Sequence, residues 1–190
     1  PMALRRKPEG VPDLKRAADD LGVATTWLAE MHLATRRLDV EARDVARRRL
    51  LEVVSEFRES FVLTAVEDEV VVNVVDALED LLDRGVVVQH GDFSSQNILM
   101  ETRSSGRPSL GVIDWTWSEE HGLPAHDLLF LLIGYSLQLR VGSGLPGFVG
   151  AFRQCLIDEG SARDMTFDLF RRYCRAIGFE SAHLPQLILW

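Results

Sequence analysis

His90-Gly91-Asp92-Phe93-Ser94-Ser95-Gln96-Asn97, followed by Val112-Ile113-Asp114-Trp115, is the polar stretch around which the chain is organised. Its flanks change period. Val86-Val87-Val88 reads as a short buried strand leading into His90. Ile98-Leu99-Met100 and Leu110-Gly111-Val112-Ile113 read as a strand pair joined by the turn Ser104-Ser105-Gly106-Arg107-Pro108. Asp92, Asn97 and Asp114 therefore fall at strand ends. Taken singly, each is an ordinary turn cap or strand-end carboxylate. Taken as a set between apolar strands, they would cost several kcal/mol to bury unpaired, which argues for a charge-binding role.

Outward from this insert the pattern is helical. A short helix is expected from Asp13 until Gly22 interrupts it. A second, N-capped by Thr25 or Thr26, runs to about Arg37 with Trp27, Leu28, Met31 and His32 on one stripe. The next segment spaces Leu50, Val53, Val54, Phe57 and Phe61 helically. Arg47, Arg48 and Arg49, just before it, read as a solvated helix face. A third helix is expected over about Val66–Arg84, where the Val71, Val74, Val75, Leu78, Leu81, Leu82 stripe overrides the weak helix propensity of valine, with Gly85 as its C′ residue. After Pro124 helices resume, over about 126–140, 147–158 and 166–177. The fold class predicted is mainly α with a small β insert, that is α+β. Residues 1–12 form a linker and 13–190 one helical domain.

The bulk numbers narrow the function. The chain has 190 residues, 46% apolar and 26% charged, with a formal charge of −8 from 21 basic and 29 acidic residues. Such a surface is a poor match for a nucleic-acid backbone, which is bound by neutralising its phosphates. Cys155 and Cys174 lack metal-ligand spacing and read as reduced thiols. The longest strongly apolar run, Leu128 to Ile133, is too short to cross a bilayer, and no leader pattern opens the sequence, so the compartment expected is the cytoplasm. Only two of the 21 basic residues, Lys7 and Lys15, are lysines.

Phosphoryl transfer asks a protein mainly for positioning and charge neutralisation. One carboxylate orients the attacking hydroxyl and takes its proton, and oxygen ligands hold magnesium against the nucleotide phosphates. Protein kinases arrange these groups as H-R-D-x-x-x-x-N with a later aspartate on a separate turn. Asp92 and Asn97 have that spacing, with Gly91 in the arginine's place, and Asp114 follows the predicted hairpin.

The stretch from His90 to Leu128 resembles the aminoglycoside phosphotransferase and choline kinase superfamily, the small-molecule branch of the protein-kinase-like fold. Its motifs are present in order. They are His90-Gly91-Asp92 with Asn97, then Ile113-Asp114-Trp115, then Pro124 with Asp127-Leu128; Leu28-Ala29-Glu30-Met31-His32 resembles the family's upstream Leu-His helix. The resemblance implies Asp92 as catalytic base, Asn97 and Asp114 on Mg²⁺, and Asp127 as an acceptor bracing the loop. ATP or GTP would be the co-substrate and a small-molecule hydroxyl the acceptor. His90 is expected to brace the loop, and His32 to be a satisfied core histidine. Ser94 and Gln96 are candidates for phosphate or metal contact. Glu119 and Glu120, placed with His121 on a surface loop, are candidates for meeting a cationic substrate.

Gly142-Ser143-Gly144-Leu145-Pro146-Gly147-Phe148-Val149 matches the kinase glycine loop letter by letter, but lies after the catalytic residues and between helices. It reads as a helix connection. With no phosphate-gripping lysine on a strand, the chain is expected to be the C-terminal lobe alone, starting at the hinge, ending in the apolar Leu187–Trp190, and inactive without a small N-terminal lobe. Three rivals are weaker or distinct. A protein kinase needs a long activation segment, but only twelve residues separate Asp114 from Asp127. A metal-dependent hydrolase lacks histidines at ligand spacing. The third rival is a non-catalytic module that keeps the fold to bind a nucleotide or a partner.

Overall fold

In the computed structural model, residues 14–102, 108–139 and 147–179 are described. Three helices come first: α1 (Leu14–Thr35), α2 (Val40–Ser60) and α3 (Ala65–Leu82). Four short strands follow, β1 (Val87–Gln89), β2 (Ile98–Thr102), β3 (Pro108–Val112) and β4 (Glu119–Gly122). The chain then returns to helix in α4 (His126–Leu139), α5 (Gly147–Phe152), a π-helical turn (Arg153–Ile157) and α6 (Ser161–Ile177). The architecture is mostly helical with small antiparallel sheets, as expected.

α1 is one helix where two were expected. Gly22 costs the helix about 1 kcal/mol relative to alanine, yet does not end it. Ala17, Leu21, Ala24, Leu28 and His32 are all buried on one stripe at helical spacing, which carries the helix through the glycine. Thr26 is not a cap; its hydroxyl donates to the Gly22 carbonyl one turn back, at 2.9 Å. The stripe packs on α6, whose buried face includes Leu169, Phe170, Tyr173 and Ile177. α4 packs on both helices, with Leu128, Leu129, Leu131, Leu132 and Tyr135 buried around most of its girth.

α2 and α3 form a hairpin. Ala42, Ala46, Leu50 and Val54 face inward from α2, and Val74, Leu78, Leu81 and Leu82 from α3. Thr64 caps α3 with a full capping box, since its side chain accepts from the Glu67 amide and Glu67 accepts from the Thr64 amide. The C-cap of α3 is Asp83, so Gly85 falls one residue beyond C′. There, at φ 114°, it lets the chain turn back against Arg37. The arginine cluster on α2 is an ion-paired surface, with Arg47 near Asp44, Glu79 and Asp83.

β2 and β3 pair antiparallel, Ile98 opposite Val112 and Thr102 opposite Pro108, as the sequence suggests; most of the connecting turn lies outside the described residues. β1 pairs with β4, Val87 opposite Gly122 and Gln89 opposite Glu119. Glu119, Glu120 and His121 are therefore strand residues, which corrects the loop expected there. Their side chains carry no strand signal; backbone pairing with β1 makes the strand. The 147–158 helix is interrupted by the π turn, whose last bond runs from the Asp158 amide to the Arg153 carbonyl at 2.7 Å. α6 starts five residues before the expected 166. Cys155 and Cys174 are free and buried. Most of the 142–149 glycine segment, the 1–12 linker and Leu187–Trp190 lie outside the described residues. Among the described residues no helix is long and apolar enough to cross a membrane.

Candidate active site

β1 delivers the chain into the loop 90–97, and that loop is held from below. Asp127, fully buried at the start of α4, accepts the amide N–H of His90 at 2.7 Å and that of Gly91 at 3.0 Å. It caps the loop and not its own helix. Gly91 sits at φ 80°, and a Cβ there would come 2.2 Å from the Trp117 carbonyl oxygen. Both the conformation and the space require glycine.

His90 ties the loop to the second strand pair. Its Nε2–H donates to the Ile113 carbonyl at 3.0 Å, and its Nδ1 accepts the Asp92 amide at 3.2 Å. The two partners settle the tautomer, because a carbonyl only accepts and an amide only donates. Its ring lies against Trp115 at 4.6 Å between centroids and near Phe93, which stacks in turn on Trp27 of α1.

Asn97 closes the loop. Its side-chain nitrogen donates to the Asp92 carbonyl at 3.0 Å and to Asp92 Oδ2 at 2.9 Å. Both are acceptors, so the amide is oriented without ambiguity and its oxygen is turned away from them. The Asn97 carbonyl accepts the Ile113 amide at 3.0 Å, which brings the residue beside Asp114. Asp114 follows β3 at φ 63°, rare for a non-glycine residue. Its Oδ1 accepts the Thr116 hydroxyl at 2.7 Å, which leaves its second oxygen without a partner among the described residues. Asn97 is thus bonded to Asp92 through its side chain and set beside Asp114 through the Ile113 amide.

The remaining sequence candidates divide. Ser94 is inside the loop, its amide donating to the Asp92 carbonyl and its carbonyl accepting from Asn97. Gln96 is exposed at the loop's tip. Glu119 lines a cavity of about 300 Å³ together with Gly91, Trp117, Gln89, Arg49 and His126; Glu120 does not line it. Gln89, Trp117 and His126 are not among the sequence candidates, and Arg49 reads in the sequence only as part of a solvated helix face. No pattern in the sequence flags them, because the cavity forms only when α2 packs against β4.

A family-wide sequence model, that of the phosphotransferase enzyme family (APH), matches residues 2–154, well over half of the 190. The chain belongs to the phosphotransferase enzyme family. Neither the curated proteins nor the solved structures gave a match. Every candidate above lies within the phosphotransferase match, whereas α6 lies outside it.

The site's electrostatics centre on Asp127. Burial pushes its carboxyl up, but His32 and the amides of His90 and Gly91 more than offset this, so it stays below the ordinary carboxylate value. His32 Nε2 lies 3.8 Å from Asp127 Oδ2, too long for a hydrogen bond, so it acts through its charge distribution. The core histidine is thus satisfied at one nitrogen only, and Nε2 makes no hydrogen bond among the described residues.

Proposed function

We propose that the chain is the catalytic part of an enzyme that moves the γ-phosphoryl group of ATP or GTP to a hydroxyl of a small molecule, and that it needs a small N-terminal lobe to turn over. Asp92 is the base, and Asn97 and Asp114 are the Mg²⁺ ligands, on what we take to be the C-terminal lobe of a protein-kinase-like fold. The observation that carries this reading is the orientation of Asn97. Its nitrogen is committed to Asp92, so its oxygen is the group left to meet a cation beside the open oxygen of Asp114. Among the described residues no group of three or more His, Cys, Asp or Glu is placed to hold a metal ion. A magnesium site does not need one, since this ion takes one or two carboxylates and completes its shell with phosphate oxygens and water. Bound there, it would neutralise charge on the transferring phosphates.

The chain's own groups supply the rest. Asn97 fixes the Asp92 carboxylate through one oxygen and leaves the other to orient the acceptor hydroxyl and accept its proton. Asp127 and His90 hold the loop so that this carboxylate does not drift, and positioning of this kind is where most of the rate arises. The cavity beside Gly91 suits a small acceptor, with Glu119 there for a cationic group and the Trp117 ring as an apolar wall.

Calorimetric titration of the protein completed with an N-terminal lobe, with ATP and with GTP and with and without Mg²⁺, tests the metal assignment. Asp114→Ala should abolish magnesium-dependent binding and Asn97→Ala should weaken it. Normal binding by Asp114→Ala would mean the wrong carboxylate has been chosen. A panel of aminoglycosides, amino alcohols and sugars then tests transfer by the protein completed with an N-terminal lobe, where Asp92→Asn should slow turnover about 10²–10⁴-fold. Magnesium-dependent binding with no consumption for any acceptor would favour a non-catalytic nucleotide-binding module instead.

A further inference from the structure

α6 lies beyond the family match, yet one of its side chains reaches the centre of the site. Tyr173 is fully buried. Its hydroxyl accepts the Ala125 amide N–H at 2.9 Å and also meets His32 Nδ1. His32 in turn presents Nε2 to Asp127, and Asp127 holds the amides of His90 and Gly91. Three helices, α6, α1 and α4, thus meet the loop through one line of buried polar groups.

The proton positions along that line follow from elementary electrostatics. A hydroxyl both donates and accepts, so the Tyr173–His32 contact allows two arrangements. If His32 carried its proton on Nδ1, Nε2 would aim a lone pair at a buried carboxylate, where low dielectric makes the repulsion costly. If Tyr173 donates, Nδ1 is bare and the Nε2–H dipole faces the carboxylate favourably. Burial pushes the Tyr173 phenol well above its ordinary value, so the proton needed for this donation stays in place.

The second arm of the hydroxyl acts on the backbone. Ala125 immediately precedes α4 and sits at φ 73°, a conformation that side-chain-bearing residues rarely adopt. Its amide is held by Tyr173, while its carbonyl accepts the Leu129 amide at 3.0 Å and opens the helix that carries Asp127.

We propose that Tyr173 is a positioning residue for the loop 90–97: its hydroxyl selects the His32 tautomer that faces Asp127 with an N–H and fixes the Ala125 turn, so that the Asp127 carboxylate stays under the His90 and Gly91 amides. This role concerns the loop's geometry and holds whether or not phosphoryl transfer is the reaction.

The experiment is ¹⁵N NMR of the full chain with labelled histidine, joined to amide hydrogen exchange. In the wild type His32 should show an unprotonated Nδ1 and a protonated Nε2. Tyr173→Phe removes the hydroxyl and keeps the ring. It should shift the His32 signals towards a tautomer mixture and speed exchange at His90 and Gly91 about tenfold, the scale of one lost hydrogen bond. Exchange at Leu78 in α3 should not change. A proton found on Nδ1 in the wild type, alone or with one on Nε2, overturns the proposal without any variant. So does a Tyr173→Phe chain whose His32 signals and loop exchange are unaltered. Equal acceleration at Leu78 would reduce Tyr173 to a general packing residue and also overturn it.

Discussion

Around Asp127, His32, His90 and Tyr173 are fully buried, and polar contacts link the Tyr173 and His32 side chains and the His90 amide to it across α1, α6 and the loop. Along the α2–α3 hairpin the arrangement is reversed. Buried positions there are apolar, as at Leu50, Val54, Val74 and Leu78. The ion pairs, such as Arg58 with Asp68, lie at the surface, and Phe57, Val62, Val66 and Val70 stand exposed beside them. The contrast follows from what each region must hold. A directional bond in a dry site fixes an atom to a fraction of an ångström, but its loss leaves a partner unsatisfied. Apolar burial is non-directional and tolerates small shifts. The loop needs the first kind of restraint, whereas the hairpin needs only to pack.

The largest test of that contrast is Asp127→Ala. It strands the buried amides of His90 and Gly91, at about 1–3 kcal/mol for each unsatisfied donor, so a loss on the order of 4 kcal/mol is expected in denaturant unfolding. The sign of the pH dependence follows as well. The folded carboxyl titrates below its ordinary value and the unfolded one at it. The stabilisation is therefore fully present above the ordinary value and fades as pH falls through the folded one. Asp127→Asn should flatten the acid limb of the stability curve more than Asp39→Asn. The Asp39 carboxyl is also held below its ordinary value, by the Ala42 amide and Arg37, but at an exposed site where solvent screens the effect. Equal flattening in both would remove Asp127 from its special place.

Gly91→Ala is next in size. It adds a Cβ at positive φ, which costs roughly 1–2 kcal/mol, and drives it towards the Trp117 carbonyl, which adds a packing cost of about 1–3 kcal/mol. A fall in stability of about 3 kcal/mol is expected, with lost order in the loop. Gly111→Ala in β3 is the control, since a Cβ there meets nothing within 4 Å. Comparable losses at the two glycines would show that the clash with Trp117 does not govern this turn.

These effects also mark what the sequence made legible. The spacing of Asp92, Asn97 and Asp114, the β2–β3 hairpin and α3 could all be read, because each rests on local pattern. Asp127 could be placed as an acceptor by its position at a helix start and by the resemblance, and its partners are the loop amides. β4 was illegible since Glu119-Glu120-His121-Gly122 has no strand propensity and pairs only because β1 offers an open edge. The continuity of α1 through Gly22 was hidden for a related reason, as burial against α6 outweighs a local penalty. Tyr173 and Arg49 reach the site from elements distant in sequence, and no periodicity encodes which helix faces which loop.

The smallest effect belongs to the hairpin. Thr64 begins α3 in a capping box, with its hydroxyl on the Glu67 amide at 3.3 Å and its own amide donating to Glu67 Oε2 at 2.7 Å. Thr64→Ala removes the side-chain half of that box, and caps of this type contribute about 1 kcal/mol. The helix would then fray at its first turn, far in sequence from the loop 90–97, and its packing stripe from Val74 to Leu82 would remain. Stability should fall by about that amount, with exchange faster at Glu67 and Asp68. His90 and Gly91 should keep wild-type protection once the global change is subtracted. If Thr64→Ala instead loosened the loop as much as the helix start, the two regions would be one cooperative unit, and the separation between a directional centre and a tolerant arm would fail.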